Sequence, residues 1–165
     1  MRNSILVLTL VCVNLSLHAQ KIIPITIKGE KYELADLSSK GTQMWGGYEE
    51  IPLHAASSES NGALNTKAIV ATVGENKDYD NKPYAAKTCT DLKLGGKQGW
   101  YLPSQEEATA IFGFRDKLSI DEKASIWTST ESAGTQAYTL YWYNGSFYKS
   151  QKVDPFTVVC LRKQD

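Results

Sequence analysis

YTLYWYNGSFYKS, residues 138–150, holds six aromatic rings in thirteen positions around the pair Asn144-Gly145. Asn-Gly is the preferred dipeptide of a two-residue type I′ hairpin turn. A turn at that pair sets a register, with Tyr143 opposite Ser146, Trp142 opposite Phe147 and Tyr141 opposite Tyr148. Side chains alternate along a strand, so the rings divide between two faces. Tyr138, Leu140, Trp142 and Phe147 form an apolar face that belongs to a core. Lys149 falls on this face too and is expected at the sheet margin, where its amine reaches water. Thr139, Tyr141, Tyr143, Ser146, Tyr148 and Ser150 form the opposite face.

That second face is uncharged and amphipathic. Tyrosine supplies large contact area at small entropy cost, and serine supplies adaptable hydrogen bonds, the mixture used by protein paratopes. Aromatic rings also stack on the apolar faces of sugars. Tyr141, Tyr143, Asn144, Ser146 and Tyr148 are therefore the candidate ligand contacts. Two plainer readings stand beside this one. Tyr and Thr are good strand formers on any exposed face, and a Tyr141–Tyr148 cross-strand pair is worth about 0.2–1 kcal/mol. Alternatively, a long loop from 38 to 65 covers the face and makes it interior.

The flanking text places the hairpin in an α+β protein. SIWTSTES (125–132) opens a β-rich tail, and AYTLYWYN, GSFYKSQKV and FTVVCLRK read as three strands in succession, the last after Asp154-Pro155. Upstream, WYLPSQEEATAIFGF begins with a short strand, Trp100 to Leu102. Ser104 and Glu107 then form a capping box, and Ala108, Ile111 and Phe112 give the following helix its buried face. Adjacent carboxylates suggest acid–base chemistry. Capping accounts for Glu107, however, and the positive end of the helix dipole favours Glu106. PYAAKTCTDLKLGG reads as another helix, with Pro83 in its first turn, an apolar stripe of Ala85, Ala86, Cys89, Leu92 and Leu94, and Gly95-Gly96 as the stop. ENKDYDN is a polar turn. TKAIVATVG (66–74) fits a strand or a helix, and periodicity does not decide. Residues 38–65 form the Gly- and Ser-rich loop, either functional or a surface excursion pinned by Trp45. KIIPITIKGEKYELADL (21–37) alternates around Gly29-Glu30 as a hairpin or an entry strand, with Pro24 favouring an edge. Helices packed to one side of an antiparallel sheet with a closing meander is the expected architecture.

The 165 residues set a prior of one domain. MRNSILVLTLVCVNLSLHAQ opens it with Arg2, an apolar run from Ile5 to Val13, and a polar end closing on Ala19. That outline is a secretory leader, residues 1–19. The run is too short for the roughly 20 residues of a spanning helix, and no later segment approaches that length. A lipid-attachment reading through Cys12 needs a small residue before the cysteine, where Val11 stands. Residues 20–37 are then an entry segment and 38–165 the main body of one globular domain. The secreted, periplasmic or cell-surface product has 146 residues, 165 less 19. The leader removes one of 18 basic residues, Arg2, leaving 17 against 18 acidic. With no basic stripe, nucleic acid and anionic lipid are poor partners.

Cys89 and Cys160 remain after the leader. In an exported protein an even pair reads as a disulfide. Closing a span of 71 residues, 160 less 89, it stabilises by roughly 4 kcal/mol in the chain-entropy model. A pair of reactive or metal-binding thiols is the competing reading. Only His54 would remain to join them, and no C-x-x-C spacing is present.

These residues resemble a family. GxxxWYLPSxxE, IWTSTES, an AY-aromatic strand, an NG turn and a closing VxCLRK recur, in that order, in secreted bacterial domains of the C-type-lectin-like fold. This branch, formerly a domain of unknown function, is named after the C-terminal domain of a collagen-like adhesin. WGGY, NGALNTKAIV and YAAKTCTDLKLGGKQGWYLPS are similar to its usual lead-in, so the resemblance spans about residues 41–163. It implies an α+β fold with two helices, long loops and a bridge between first helix and last strand, which matches Cys89 and Cys160. It also implies an extracellular binding or adhesion module, some members recognising sulfated sugars. The sequence departs from calcium-dependent lectins, with no Glu-Pro-Asn, Gln-Pro-Asp or Trp-Asn-Asp tripeptide. No cofactor, metal ligand set or catalytic residue is therefore assigned, and near-neutral charge disfavours a sulfated partner.

The leading expectation is an exported, non-enzymatic recognition domain for a glycan or an extracellular protein. Two rivals remain. One is an oxidase of the formylglycine-generating type, which needs free cysteines on a related fold. The other is a structural subunit of a surface assembly.

Overall fold

β1 (Ile22–Ile27) and β2 (Glu30–Asp36) pair antiparallel through a two-residue turn, Lys28-Gly29. Both turn residues have positive φ, 50° and 85°, as a type I′ turn requires. Ile23, Ile25 and Ile27 alternate inward, and Pro24 sits on the outer strand, where no ladder N–H is needed. The computed structural model describes residues 21–46, 55–75 and 82–164. The expected leader, Cys12, His54 and most of the polar turn after Gly74 lie outside the described residues.

The remaining elements, in order, are β3 (Thr42–Gln43), α1 (Gly62–Val73), α2 (Ala85–Asp91), α3 (Gln105–Phe112), β4 (Ser125–Ala133), β5 (Gln136–Tyr141), β6 (Phe147–Gln151), β7 (Phe156–Thr157) and β8 (Val159–Lys163). The protein is mixed α+β, with three α-helices and two sheets among the described residues. The smaller sheet runs β1-β2-β8 and the larger β3-β7-β4-β5-β6.

The described residues hold three α-helices rather than two. The ambiguous TKAIVATVG segment is helical because the helix starts earlier, at Gly62, where the Asn61 side chain accepts from the Leu64 amide. Such a cap satisfies an otherwise orphan donor. Pro83 precedes α2 rather than entering its first turn, since Tyr84 is the flanking residue. The stop comes at Leu92, before Gly95-Gly96. FTVVCLRK is not the third strand of a meander. It splits into β7, beside β4 and β3, and β8, which crosses to β2 in the other sheet. The short strand at Trp100–Leu102 is a single bridge, Tyr101 exchanging both backbone hydrogen bonds with Leu161.

Cys89 and Cys160 are disulfide-bonded, with Cα atoms 5.4 Å apart. The bridge ties α2 to β8 and is fully buried. Because α1 precedes it, Cys89 lies on the second helix rather than the first. Around it pack Trp45, Ile69, Tyr84, Trp100, Trp127 and Val158. A second apolar cluster joins Ile23, Ile25, Leu34, Ile111, Ile126, Leu140, Trp142 and Leu161.

Trp45 is fully buried and donates Nε1–H to the Thr128 carbonyl at 2.6 Å. It pins the start of the 38–65 segment, as the second reading of that loop expects. The two stretches WYLPSQEE and IWTSTES meet in a polar staple. Ser129 N donates to Pro103 O, Gln105 N to Thr130 Oγ1, and Thr130 Oγ1 to Ser58 O. Asn65 Nδ2 donates to both Ser58 O and Ser129 Oγ. These bonds take β4 off β5 between Trp127 and Glu131, where the register shifts. Thr128, Ser129, Thr130 and Glu131 are buried there. Buried polar groups are hydrogen-bonded as a rule, so the hydroxyls of Thr128, Ser129 and Thr130 serve the fold.

Candidate functional site

The hairpin at 138–150 forms, with a different turn. Leu140 pairs with Phe147 and Thr139 with Tyr148. Tyr141 and Ser146 close the ladder, Tyr141 N donating to Ser146 O at 2.8 Å. Residues 142–145 therefore make a four-residue loop, and the expected pairings of Trp142 with Phe147 and Tyr141 with Tyr148 do not occur. Lys28 is the one non-glycine residue with positive φ among the described residues. Asn144 thus lacks the left-handed backbone a type I′ turn demands. Gly145, at φ 75°, donates its N–H to Tyr141 O at 2.9 Å, and Ser146 N donates to Asn144 Oδ1 at 3.0 Å.

The cause is tertiary. Trp142 is buried, stands edge-on to Phe112 with centroids 5.7 Å apart, and donates its backbone N–H to Ala124 O. A Cβ on Gly145 would lie 2.9 Å from the Phe112 ring. Burying an indole gains several times the preference of one turn type over another. The loop widens to seat the ring.

Relative to the expected register the strands shift by two residues, which preserves the faces because side chains alternate with period two. Leu140 and Trp142 point into the second apolar cluster, with Phe147 packed against it. Lys149, on the outermost strand β6, is exposed and reaches over the Tyr138 ring. Tyr138, expected in that core, is half-buried and joins neither apolar cluster. On the other face Thr139 is buried and shares a hydrogen bond of 2.9 Å with Ser150.

The structure places the five candidate contacts together around the hairpin end. Tyr143 is 66% exposed and Tyr148 53%. Asn144 is exposed, and Tyr141 and Ser146 are half-buried. The Tyr141 ring stands 6.2 Å from Tyr143, tilted by 40°, and 6.2 Å from Tyr148, at 73°. Tyr141 and Tyr148 are thus diagonal neighbours rather than a facing pair. The three rings make a bent cradle rather than a flat platform. The named members carry no formal charge.

Just past β6, Lys152 is fully buried and ion-paired with buried Glu131. Its ammonium also donates to Gly134 O at 2.7 Å and sits 4.6 Å from the centre of the Trp45 ring. Burial pushes the Lys152 pKa down, and Glu131 opposes that shift. The pair binds the base of the hairpin to the 38–65 segment. Nothing in the local sequence signals it, since both partners sit in polar text and meet only through the fold.

Both glutamates stand in the first turn of α3, as expected. Glu107 completes the capping box with Ser104 and also accepts from Gly62 N and Tyr101 Oη. Burial, then the adjacent Glu107, raises the Tyr101 pKa well above its ordinary value. Glu106 pairs with Lys28 at 2.7 Å on the surface. A shallow groove lined by Ile27, Lys28, Glu106 and Phe114 lies beside that pair, away from the tyrosines. Among the described residues no helix is long and apolar enough to cross a membrane, and no cluster of His, Cys, Asp and Glu is suited to a metal. Compared with protein-family models and with curated proteins, the sequence finds no match.

Proposed function

We propose that this protein is an exported, non-enzymatic recognition domain that holds a glycan or an extracellular protein surface against its C-terminal hairpin. The observation that carries the reading is the exposure of Tyr143, in the loop, and of Tyr148, on β6, beside a ring, Trp142, that is locked into the core. Large exposed rings held by a rigid base lose little entropy on contact. Tyr141 supports both from below, and Asn144 and Ser146 offer amide and hydroxyl groups at the rim.

The C-type-lectin-like fold is part of this proposal. Its support is the return of β8 to β2, which brings the two ends of the described residues into one sheet, and the bridge from a helix to that last strand. Both cysteines that follow the leader are occupied by the bridge. That supports recognition over the oxidase reading, which needs thiols.

The test is the double variant Tyr143→Ala, Tyr148→Ala, read on a glycan array and by pull-down from cell-surface extracts. The expected result is loss of every signal the wild type gives, with stability within about 0.5 kcal/mol, as for exposed sites. Retained binding, or a large fall in melting temperature, refutes the assignment.

A further inference from the structure

The sequence contains two Asn-Gly pairs, Asn61-Gly62 and Asn144-Gly145. In such a pair the glycine nitrogen reaches the asparagine side chain without a Cβ in its path. We propose that Asn144 is a site of spontaneous self-modification and that Asn61 is protected from the same chemistry by the fold. In the reaction Gly145 N attacks Asn144 Cγ, and a new N–Cγ bond closes a five-membered imide. The Cγ–Nδ2 bond of the asparagine breaks, and ammonia leaves, taking up the proton that Gly145 N gives up. Water then opens the imide at either carbonyl, leaving aspartate or isoaspartate at position 144.

Three features favour the reaction at Asn144. Its side chain is exposed, so water reaches the imide. The Ser146 amide already donates to Asn144 Oδ1 at 3.0 Å. That oxygen gains negative charge when the nitrogen adds, and a fixed donor there stabilises the developing charge. One backbone hydrogen bond restrains the nucleophile, Gly145 N to Tyr141 O; half-buried Gly145 packs against the Phe112 side chain rather than against backbone or a buried carboxylate, in the loop at the end of an edge hairpin. Short loop segments open locally at small cost.

Asn61 is equally exposed and its Oδ1 also accepts a fixed backbone N–H, so the difference between the two sites lies at the glycine nucleophile. Its Oδ1 caps α1 by accepting from Leu64 N, and its carbonyl accepts from Asn65 N. Gly62 N is committed to the buried Glu107 carboxylate. A Cβ on Gly62 would collide with Glu107 Oε2, Leu102 O and Ser104 N. The peptide is packed shut, and swinging it to attack would dismantle the start of the helix and the capping box together.

The product changes the tyrosine cradle. A carboxylate appears in an otherwise uncharged cluster next to Tyr143. In the isoaspartate form an extra methylene enters the backbone of the loop seated by Trp142. The chemistry itself does not depend on what the tyrosines bind.

The experiment incubates the folded full-length protein in mildly alkaline buffer, with a parallel sample in denaturant, followed by acidic digestion. Peptides spanning residues 61 and 144 are scored for the amide-to-acid mass gain and for isoaspartate by methyltransferase labelling. In denaturant the two sites are expected to react at similar rates. In the folded protein Asn144 is expected to stay ahead by about tenfold or more, the ratio that 1.4 kcal/mol of extra protection gives. Asn144→Gln should remove the labelling from its peptide. Equal rates at the two sites in the folded protein, or no reaction at Asn144 until denaturant is added, overturns the proposal.

Discussion

The two hairpins of this protein answer the same local question in opposite ways. The 22–36 hairpin turns at Lys28-Gly29, a pair with no special preference at its first position, and takes the tight two-residue form. The 138–150 hairpin contains Asn144-Gly145, the favoured pair for that form, and refuses it. At the first tip nothing apolar needs seating, since a Cβ on Gly29 would meet open space. At the second, Trp142 lies beside the turn and is buried on Phe112. Turn preference decides where packing is silent, and packing decides where a large ring stands nearby.

The comparison breaks most severely at Trp142. Trp142→Ala should cost about 3–5 kcal/mol, measured by denaturant unfolding, and should free Asn144-Gly145 to take the two-residue turn. NMR contacts would then pair residue 142 with Phe147. An unchanged register without the indole would show that packing is not the cause.

The two glycines sharpen it next. Gly29→Ala carries only the left-handed backbone penalty, about 1–2 kcal/mol. Gly145→Ala carries a similar penalty and also drives a methyl into the Phe112 ring, where overpacking adds about 1–3 kcal/mol. The ordering of the two midpoints is the measurement, and equal losses would deny the Phe112 contact.

Acid should separate the hairpins more gently. Burial raises the Glu33 pKa, but Lys97 and Arg162 outweigh it and hold the carboxyl below its ordinary 4.5. Arg162 stands 3.1 Å away, and Lys97 is in direct contact. A carboxylate with a depressed folded pKa contributes stability that is full above the unfolded value and lost as pH falls through the folded one. Below about pH 4.5 amide exchange in β2 and β8 should therefore rise before that in β5 and β6. Glu33→Gln should abolish the difference.

What was legible in the sequence follows the same division. The capping box at Ser104–Glu107, the 22–36 pairing, the edge proline and the Cys89–Cys160 partnership are signalled by residues that act locally or by simple pairing. The alternation of the second hairpin was also readable, and it survived an error in the turn because a two-residue shift leaves it intact, but Tyr138 lies half-buried outside both apolar clusters and Thr139, on the tyrosine face, is buried. The start of α1 was hidden: KAIVATV alone has no helical contrast, and its cap, Asn61, lies outside that run. The buried Lys152–Glu131 pair was invisible for a different reason. It exists only because Trp45, the strand β4 and the end of β6 converge, and no spacing along the sequence encodes that convergence. The splitting of FTVVCLRK between two sheets was equally out of reach, since its residues suit either sheet.

The bridge between residues 89 and 160 has a mechanical consequence. It encloses the entire tyrosine hairpin within a covalent ring. A load applied at Tyr143 and resisted on the N-terminal side of Cys89 crosses the bridge along the shorter arc, residues 143–160, so the longer arc from 89 to 143 cannot pay out. Under tension the hairpin would deform before the tether yields, and reduction would turn a short stiff spring into a long soft one.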